Sequence, residues 1–188
     1  MTYSEERIAE KEIINSIAEQ IALAMDWELM VDPQPLSDRA IIRQGDKRLY
    51  FRLDWRDKNR LDISGGFEGY SQYLPYQDKR EKTEITVNRN KPIEKIVKDI
   101  QNRLLPSYER MLAYALEMKT KDDEFKAKKQ AELEEIAGLL EDATIQDEKV
   151  YTYGPARIEC KYWLDGEWAL TATLSKEKLK AVLKIISE

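Results

Sequence analysis

The sequence contains no histidine and a single cysteine, Cys160. The first absence excludes nucleophiles that depend on an imidazole base, and it removes a common zinc ligand. The second excludes an intrachain disulfide and fits a reducing compartment. Any chemistry would have to use carboxylates, lysine, tyrosine or serine. The sequence therefore favours a protein that is not an enzyme, and we expect neither a cofactor nor a metal ion.

Long apolar runs are also missing. No stretch approaches the run of about 20 apolar residues that spans a bilayer. The acidic segment at residues 1–12 has neither the basic region nor the apolar run of a secretory signal. The sequence therefore predicts a cytoplasmic protein with no membrane partner. Because 42% of the 188 residues are apolar, enough remain for a folded core.

Charge is unevenly distributed along a chain whose net charge is −5. Residues 1–37 carry a net charge of −6, residues 38–91 carry +4, residues 92–130 carry +2 and residues 131–188 carry −5. The middle of the chain is thus mildly basic between two acidic ends. This distribution permits an anionic partner without requiring one.

Hydrophobic periodicity predicts an α+β fold in three segments. Residues 1–91 should form an N-terminal helix packed on a small antiparallel sheet. Residues 92–141 should form a long helical segment kinked or interrupted by Pro106. Residues 142–188 should form a unit of three strands and one helix, either separate from the rest or integrated with it in one domain. The N-terminal helix carries an apolar stripe: Ile14, Ile17, Ala18, Ile21 and Met25.

Alternation of apolar and polar residues marks the strands of the first segment. Strands are predicted at 39–43, at 48–55, from residue 61, and at 84–87. In the second of these, the core-facing positions are Leu49, Phe51, Leu53 and Trp55.

Glycine and proline predict the connections. Residues 65–82 should form a long loop, and the Gly-Gly-Phe-Glu-Gly stretch at 65–69 a flexible turn, because no phosphate-binding Lys-Ser/Thr pair follows it. Further breaks are predicted at residues 32–35, 154–155 and 165–166.

Four short stretches carry a resemblance to a known group of proteins: RLDISG at 60–65, ITV at 85–87, KIVKDI at 95–100 and RLLPSY at 103–108. Together they resemble small uncharacterised proteins carried by bacteriophages and bacterial mobile elements, in which alanine is usual at the position of Val97. The resemblance covers about residues 40–115 and leaves out 120–188. It implies a phage or plasmid context and transfers no catalytic residue.

The polar side of the N-terminal sheet is the first candidate site. Alternation places five arginines and one tyrosine on the side opposite the core: Arg39, Arg43, Arg48, Tyr50, Arg52 and Arg60. Arginine binds phosphate and an exposed tyrosine stacks on an unpaired base, so this set could bind nucleic acid. The alternative is an ordinary charged solvent face, on which Asp54 and Asp62 pair with arginines across strands.

A second candidate is the pair Glu159 and Lys161 on one face of a predicted strand. A carboxylate can bind Mg²⁺ there while a lysine steadies an attacking water. The spacing resembles half of the PD-(D/E)xK nuclease signature. The other half is missing, because no Pro-Asp pair lies upstream and Asp147 would be a forced substitute. The alternative is a mixed-charge strand face.

The third candidate is the helical stretch 107–140, which is longer than a small core can cover. Its apolar stripe could bind a second copy of the chain or a foreign protein through Tyr108, Met111, Leu112 and Ala115. The alternative is that this stripe packs within the chain. The polar run 119–130 is either a solvated helical arm or a linker.

These patterns favour a non-enzymatic accessory protein of a phage or mobile element that binds a macromolecular partner. An inhibitor of host defence is one form of that function. Nucleic-acid binding through the arginine-rich face is the alternative, and a Mg²⁺-dependent nuclease is the third interpretation.

Overall fold

The structure is a computed structural model with the predicted α+β architecture. It describes residues 3–30, 38–140, 142–152, 157–162 and 168–186. The breaks predicted at 32–35, 154–155 and 165–166 lie outside the described residues. Two compact units divide the chain, Met1–Lys119 and Thr120–Glu188. Each unit has its own antiparallel sheet.

The first unit contains one N-terminal helix, five strands and the start of a long helical segment. Their bounds are α1 (Tyr3–Met25), β1 (Glu28–Met30), β2 (Arg39–Gln44), β3 (Lys47–Leu53), β4 (Arg60–Gly65), β5 (Glu84–Asn88), α2 (Ile93–Asp99), a π-helical turn (Ile100–Leu104) and α3 (Leu105–Gly138). The five strands pair in sequence order, with β1 and β5 at the edges of the sheet.

One face of this sheet forms the core of the first unit with the two helical segments. Its buried strand residues include Ile42, Leu49, Phe51, Leu61 and Ile63. Both predicted helical stripes pack against them, and α1 contributes Ile14, Ala18 and Ile21 to the same cluster. Period-2 and period-3.6 patterns therefore identified most of the core of this unit.

Helical structure continues through Pro106, and a π-helical turn precedes it. Proline has no N–H to donate to the carbonyl four residues earlier, and its ring crowds that carbonyl. In the wider turn, the N–H of Leu105 bonds to the carbonyl of Ile100, five residues back. The predicted disturbance at Pro106 is therefore a change of helical pitch. The run 119–130 is helical and lies within α3.

The second unit contains the C-terminal part of α3, four strands and a short helix: β6 (Ala143–Gln146), β7 (Lys149–Thr152), β8 (Arg157–Tyr162), β9 (Trp168–Thr173) and α4 (Lys176–Ile186). The strands pair in sequence order. Leu133 of α3 packs with Val150 and Cys160 in a small core. The prediction had three strands here and missed β6.

Trp55 corrects another prediction. Strand β3 ends at Leu53, so the alternation stops before Trp55, whose side chain is 73% exposed. A carboxylate oxygen of Asp54 accepts a hydrogen bond from the N–H of Arg56 at 2.8 Å, which starts the turn early.

In the described part of the chain, the helices are too short or too polar to cross a bilayer.

Candidate functional site

All six residues of the predicted polar face lie on the side of the five-stranded sheet that faces away from the core. Arg39 pairs with Arg52 and Arg43 with Arg48 across β2 and β3. Tyr50 lies opposite Ile41, between these two pairs. The last residue, Arg60, begins β4 and lies opposite Asn88 of β5. The strand register therefore brings together the residues that alternation placed on one face.

Three of these arginines lie within ion-pair distance of a carboxylate. Arg43 Nε lies 3.0 Å from an oxygen of Glu28. Arg48 Nη1 lies 2.5 Å from an oxygen of Glu68. Arg52 lies 4.0 Å from Asp62.

The aromatic ring on this face is also covered, because the Arg39 guanidinium lies 5.0 Å from the centre of the Tyr50 ring. A phosphate would have to displace the acidic side chains, and a base would have to displace Arg39. The geometry thus favours a charge-balanced solvent face over a phosphate-binding surface.

Tyr50 is the most perturbed ionisable group on this face. Its hydroxyl oxygen is closed off from solvent and has no hydrogen bond of standard geometry to a described residue. Burial, and then the nearby Glu68 carboxylate, raise the pKa of Tyr50 to about 12.

Replacing Tyr50 with phenylalanine should reduce the loss of stability at high pH. Tyr50 has a pKa of about 12 in the folded protein, whereas an unfolded chain loses this proton at a pH of about 10. The stabilisation is therefore complete below a pH of about 10 and is lost between about 10 and 12. Urea denaturation across this window measures the difference, with Tyr114→Phe as the control. Identical pH dependence of the parent and Tyr50→Phe would contradict the assignment.

The glycine pair at the end of β4, Gly65 and Gly66, is packed between two tyrosines. A Cβ atom on Gly65 would lie 2.2 Å from the ring of Tyr108, and one on Gly66 would lie 2.3 Å from the ring of Tyr50. The Tyr108 hydroxyl donates to the Gly66 carbonyl at 2.9 Å and accepts from the N–H of Arg48 at 2.8 Å. The prediction of a flexible turn missed this packing, which joins α3 to β3 and β4.

The nuclease candidate does not assemble in the described residues. An oxygen of Glu159 accepts a hydrogen bond from Lys149 Nζ at 2.7 Å, across β7 and β8. Asp147 lies in the turn between β6 and β7, with a φ of 49°. No group of three cysteine or acidic side chains in the described part of the chain converges to hold a metal ion. Glu159 is thus part of a cross-strand ion pair.

The helical interface candidate is corrected by burial. Tyr108, Leu112 and Ala115 are buried, and Met111 is half-buried. Tyr108 and Leu112 belong to the core cluster of the first unit. The stripe therefore packs largely within the chain, which was the alternative interpretation.

A different aromatic surface lies one step around the same helix. Tyr114 and Met118 of α3 line an open groove of about 470 Å³ together with the loop between β4 and β5. We call this surface the tyrosine groove: Gln72, Tyr73, Leu74, Pro75, Tyr76, Lys79, Tyr114 and Met118. Tyr76 is 84% exposed and Tyr114 is 40% exposed.

The loop that forms the tyrosine groove is fastened to the helix. Arg110 makes a bidentate ion pair with Glu81. The Ser107 hydroxyl donates to the carbonyl of Lys82 at 2.8 Å. Within the loop, Arg80 donates to the carbonyl of Pro75 at 2.7 Å. The exposed aromatic side chains therefore stand on an ordered frame.

Sequence reasoning missed this groove, although the stretch YSQYLPY at 70–76 was a usable signal. Aromatic residues clustered in a polar loop need either burial or a binding role.

Comparisons with known proteins give no further guidance: no family model, no curated protein and no solved structure matches the chain.

Proposed function

We propose that the chain is a non-enzymatic accessory protein that binds another protein through the tyrosine groove. The supporting observation is the exposure of Tyr76 and Tyr114 beside Met118 on an ordered frame. Tyrosine and methionine are enriched in protein interfaces, because they offer a large contact area and adapt to a partner. A loop that is already ordered also lowers the entropic cost of binding.

The resemblance of residues 40–115 to phage and mobile-element proteins supports a role in such an element. An inhibitor of host defence is one form that this binding function takes in our proposal. The tyrosine groove lies partly inside the segment that carries the resemblance.

Cross-linking from the groove tests this proposal. A photoreactive phenylalanine derivative replaces Tyr76 in one variant and Trp55 in a control, because Trp55 is a similarly exposed aromatic residue outside the groove. A protein partner should be captured from host lysate by the first variant and not by the second. With that partner purified, Tyr76→Ala and Tyr114→Ala should each weaken binding about 30-fold, as expected for interface anchors.

Trp55→Ala should leave the affinity unchanged. Equal capture from both positions, or equal affinity of the groove variants and the parent, would contradict the proposal.

Nucleic-acid binding by the polar sheet face is the competing proposal, and the gathering of five arginines on one face supports it. Labelled single-stranded and duplex DNA should then bind at about 50 mM salt and dissociate as ionic strength rises. Loss of that binding in Arg39→Glu and Arg52→Glu, with no effect of Tyr76→Ala, would favour this alternative. Absence of binding at about 50 mM salt would remove it.

A further inference from the structure

Strand β5 forms one edge of the five-stranded sheet, and the direction of its peptide groups follows from two hydrogen bonds. The N–H of Gly65 donates to the carbonyl of Thr83 at 2.9 Å, and the N–H of Arg89 donates to the carbonyl of Asn59 at 2.8 Å. In an antiparallel pair, every second residue exchanges its peptide hydrogen bonds with the neighbouring strand. Residues 83, 85, 87 and 89 therefore bond to the β4 side.

The residues between them present their peptide groups to the open edge. The main-chain N–H and carbonyl of Glu84 and Thr86 point away from β4, and they have no hydrogen bond in the described part of the chain. Unpaired peptide groups on an edge strand are a template for another strand. The edge therefore offers hydrogen-bonding peptide groups at every second residue, to which an added segment can pair.

A basic groove of about 450 Å³ runs along this edge. Arg60, Lys82 and Arg103 line it, with Glu84 as the single carboxylate among its lining residues. Lys82 lies 3.8 Å from Glu84, and Arg103 lies 3.4 Å from Asp99. Lys82 and Glu84 are both largely exposed, so their contact is weak, whereas Arg103 is about half-exposed beside a mostly buried Asp99.

We propose that the open edge of β5 binds an extended acidic segment of a protein partner as a sixth strand. Main-chain hydrogen bonds to Glu84 and Thr86 provide the attachment, and the three cations of the basic groove select acidic side chains. In an extended strand every second side chain faces the same side, so alternating acidic residues can follow the groove. This surface is separate from the tyrosine groove, and the inference does not depend on it.

A short synthetic strand tests the inference with the full chain. The probe is a fluorescein-labelled peptide of about eight residues that alternates glutamate with valine or threonine. Fluorescence anisotropy at about 50 mM salt should detect saturable binding, and Arg103→Glu should weaken it about tenfold. The amide resonances of Glu84 and Thr86 should shift, and their hydrogen exchange should slow. Absence of saturable binding would overturn the inference.

Two comparisons separate strand addition from simple charge attraction. Glu84→Pro removes one outward N–H without breaking a bond to β4, and an edge strand tolerates it. It should abolish binding, whereas Glu84→Ala, which keeps the N–H, should retain it. If Glu84→Pro does not fold, the parent chain serves with a peptide N-methylated at alternate residues, which keeps its charge but cannot form the ladder. Binding of that peptide within about twofold of the unmodified one would overturn the inference.

Discussion

Gly65→Ala is expected to destabilise the first unit by about 3 kcal/mol, the upper part of the range for overpacked sites. The added Cβ would lie 2.2 Å from a ring carbon of Tyr108, which is fully buried. Because the ring is held by hydrogen bonds at its hydroxyl, it cannot move aside without losing them. Urea denaturation followed by tryptophan fluorescence measures the change.

Gly45→Ala is the matched control for this substitution. Gly45 has a φ of 58°, and a Cβ there would meet no atom within 4 Å. Only backbone strain should appear, at a cost of about 1 kcal/mol. A double-mutant cycle with Tyr108→Ala should remove most of the excess cost of Gly65→Ala. Equal costs for Gly45→Ala and Gly65→Ala would show that the ring contact does not limit the packing.

Tyr108→Phe is expected to cost about 2 kcal/mol, because it leaves a part-buried N–H and a buried carbonyl without their hydrogen-bond partner. The hydroxyl accepts from the N–H of Arg48 and donates to the carbonyl of Gly66. Phenylalanine fills nearly the same volume, so the lost stability measures the two hydrogen bonds and not the creation of a cavity. Thermal and urea denaturation give the free energy of unfolding, and Tyr114→Phe should leave it nearly unchanged. A cost below about 0.5 kcal/mol would indicate that water replaces the hydroxyl.

Local patterns predicted the secondary structure of the core well. The apolar stripe on α1 and the alternation through Leu49 and Phe51 each show which side of one element is buried. A short window of sequence contains that information. The short strands β1 and β6 were missed because three or four residues carry too little alternation to distinguish them from a loop. Trp55 was misplaced because the strand ends where the N–H of Arg56 donates a hydrogen bond to Asp54, which alternation alone cannot reveal.

The candidate site was harder to predict, because it depends on contacts between distant parts of the chain. Alternation placed Arg43 and Arg52 on one face and allowed a cross-strand pair with Asp62, yet it could not show that Glu28 would lie beside Arg43. The stripe that includes Leu112 was correctly recognised as apolar, but periodicity does not say what covers an apolar stripe. The contact of Gly65 with Tyr108 joins residues far apart in sequence and leaves no local trace.

The π-helical turn before Pro106 has a consequence for the spacing of the core residues that follow. Ile100, Leu104, Tyr108 and Leu112 are all buried and are each four residues apart. A regular α-helix has 3.6 residues per turn, so three such steps would rotate the last of them by about 120° away from the first. The wider turn absorbs part of that drift. It thereby corrects the phase of the helix, so that Ile100, Leu104, Tyr108 and Leu112 all pack in the core of the first unit.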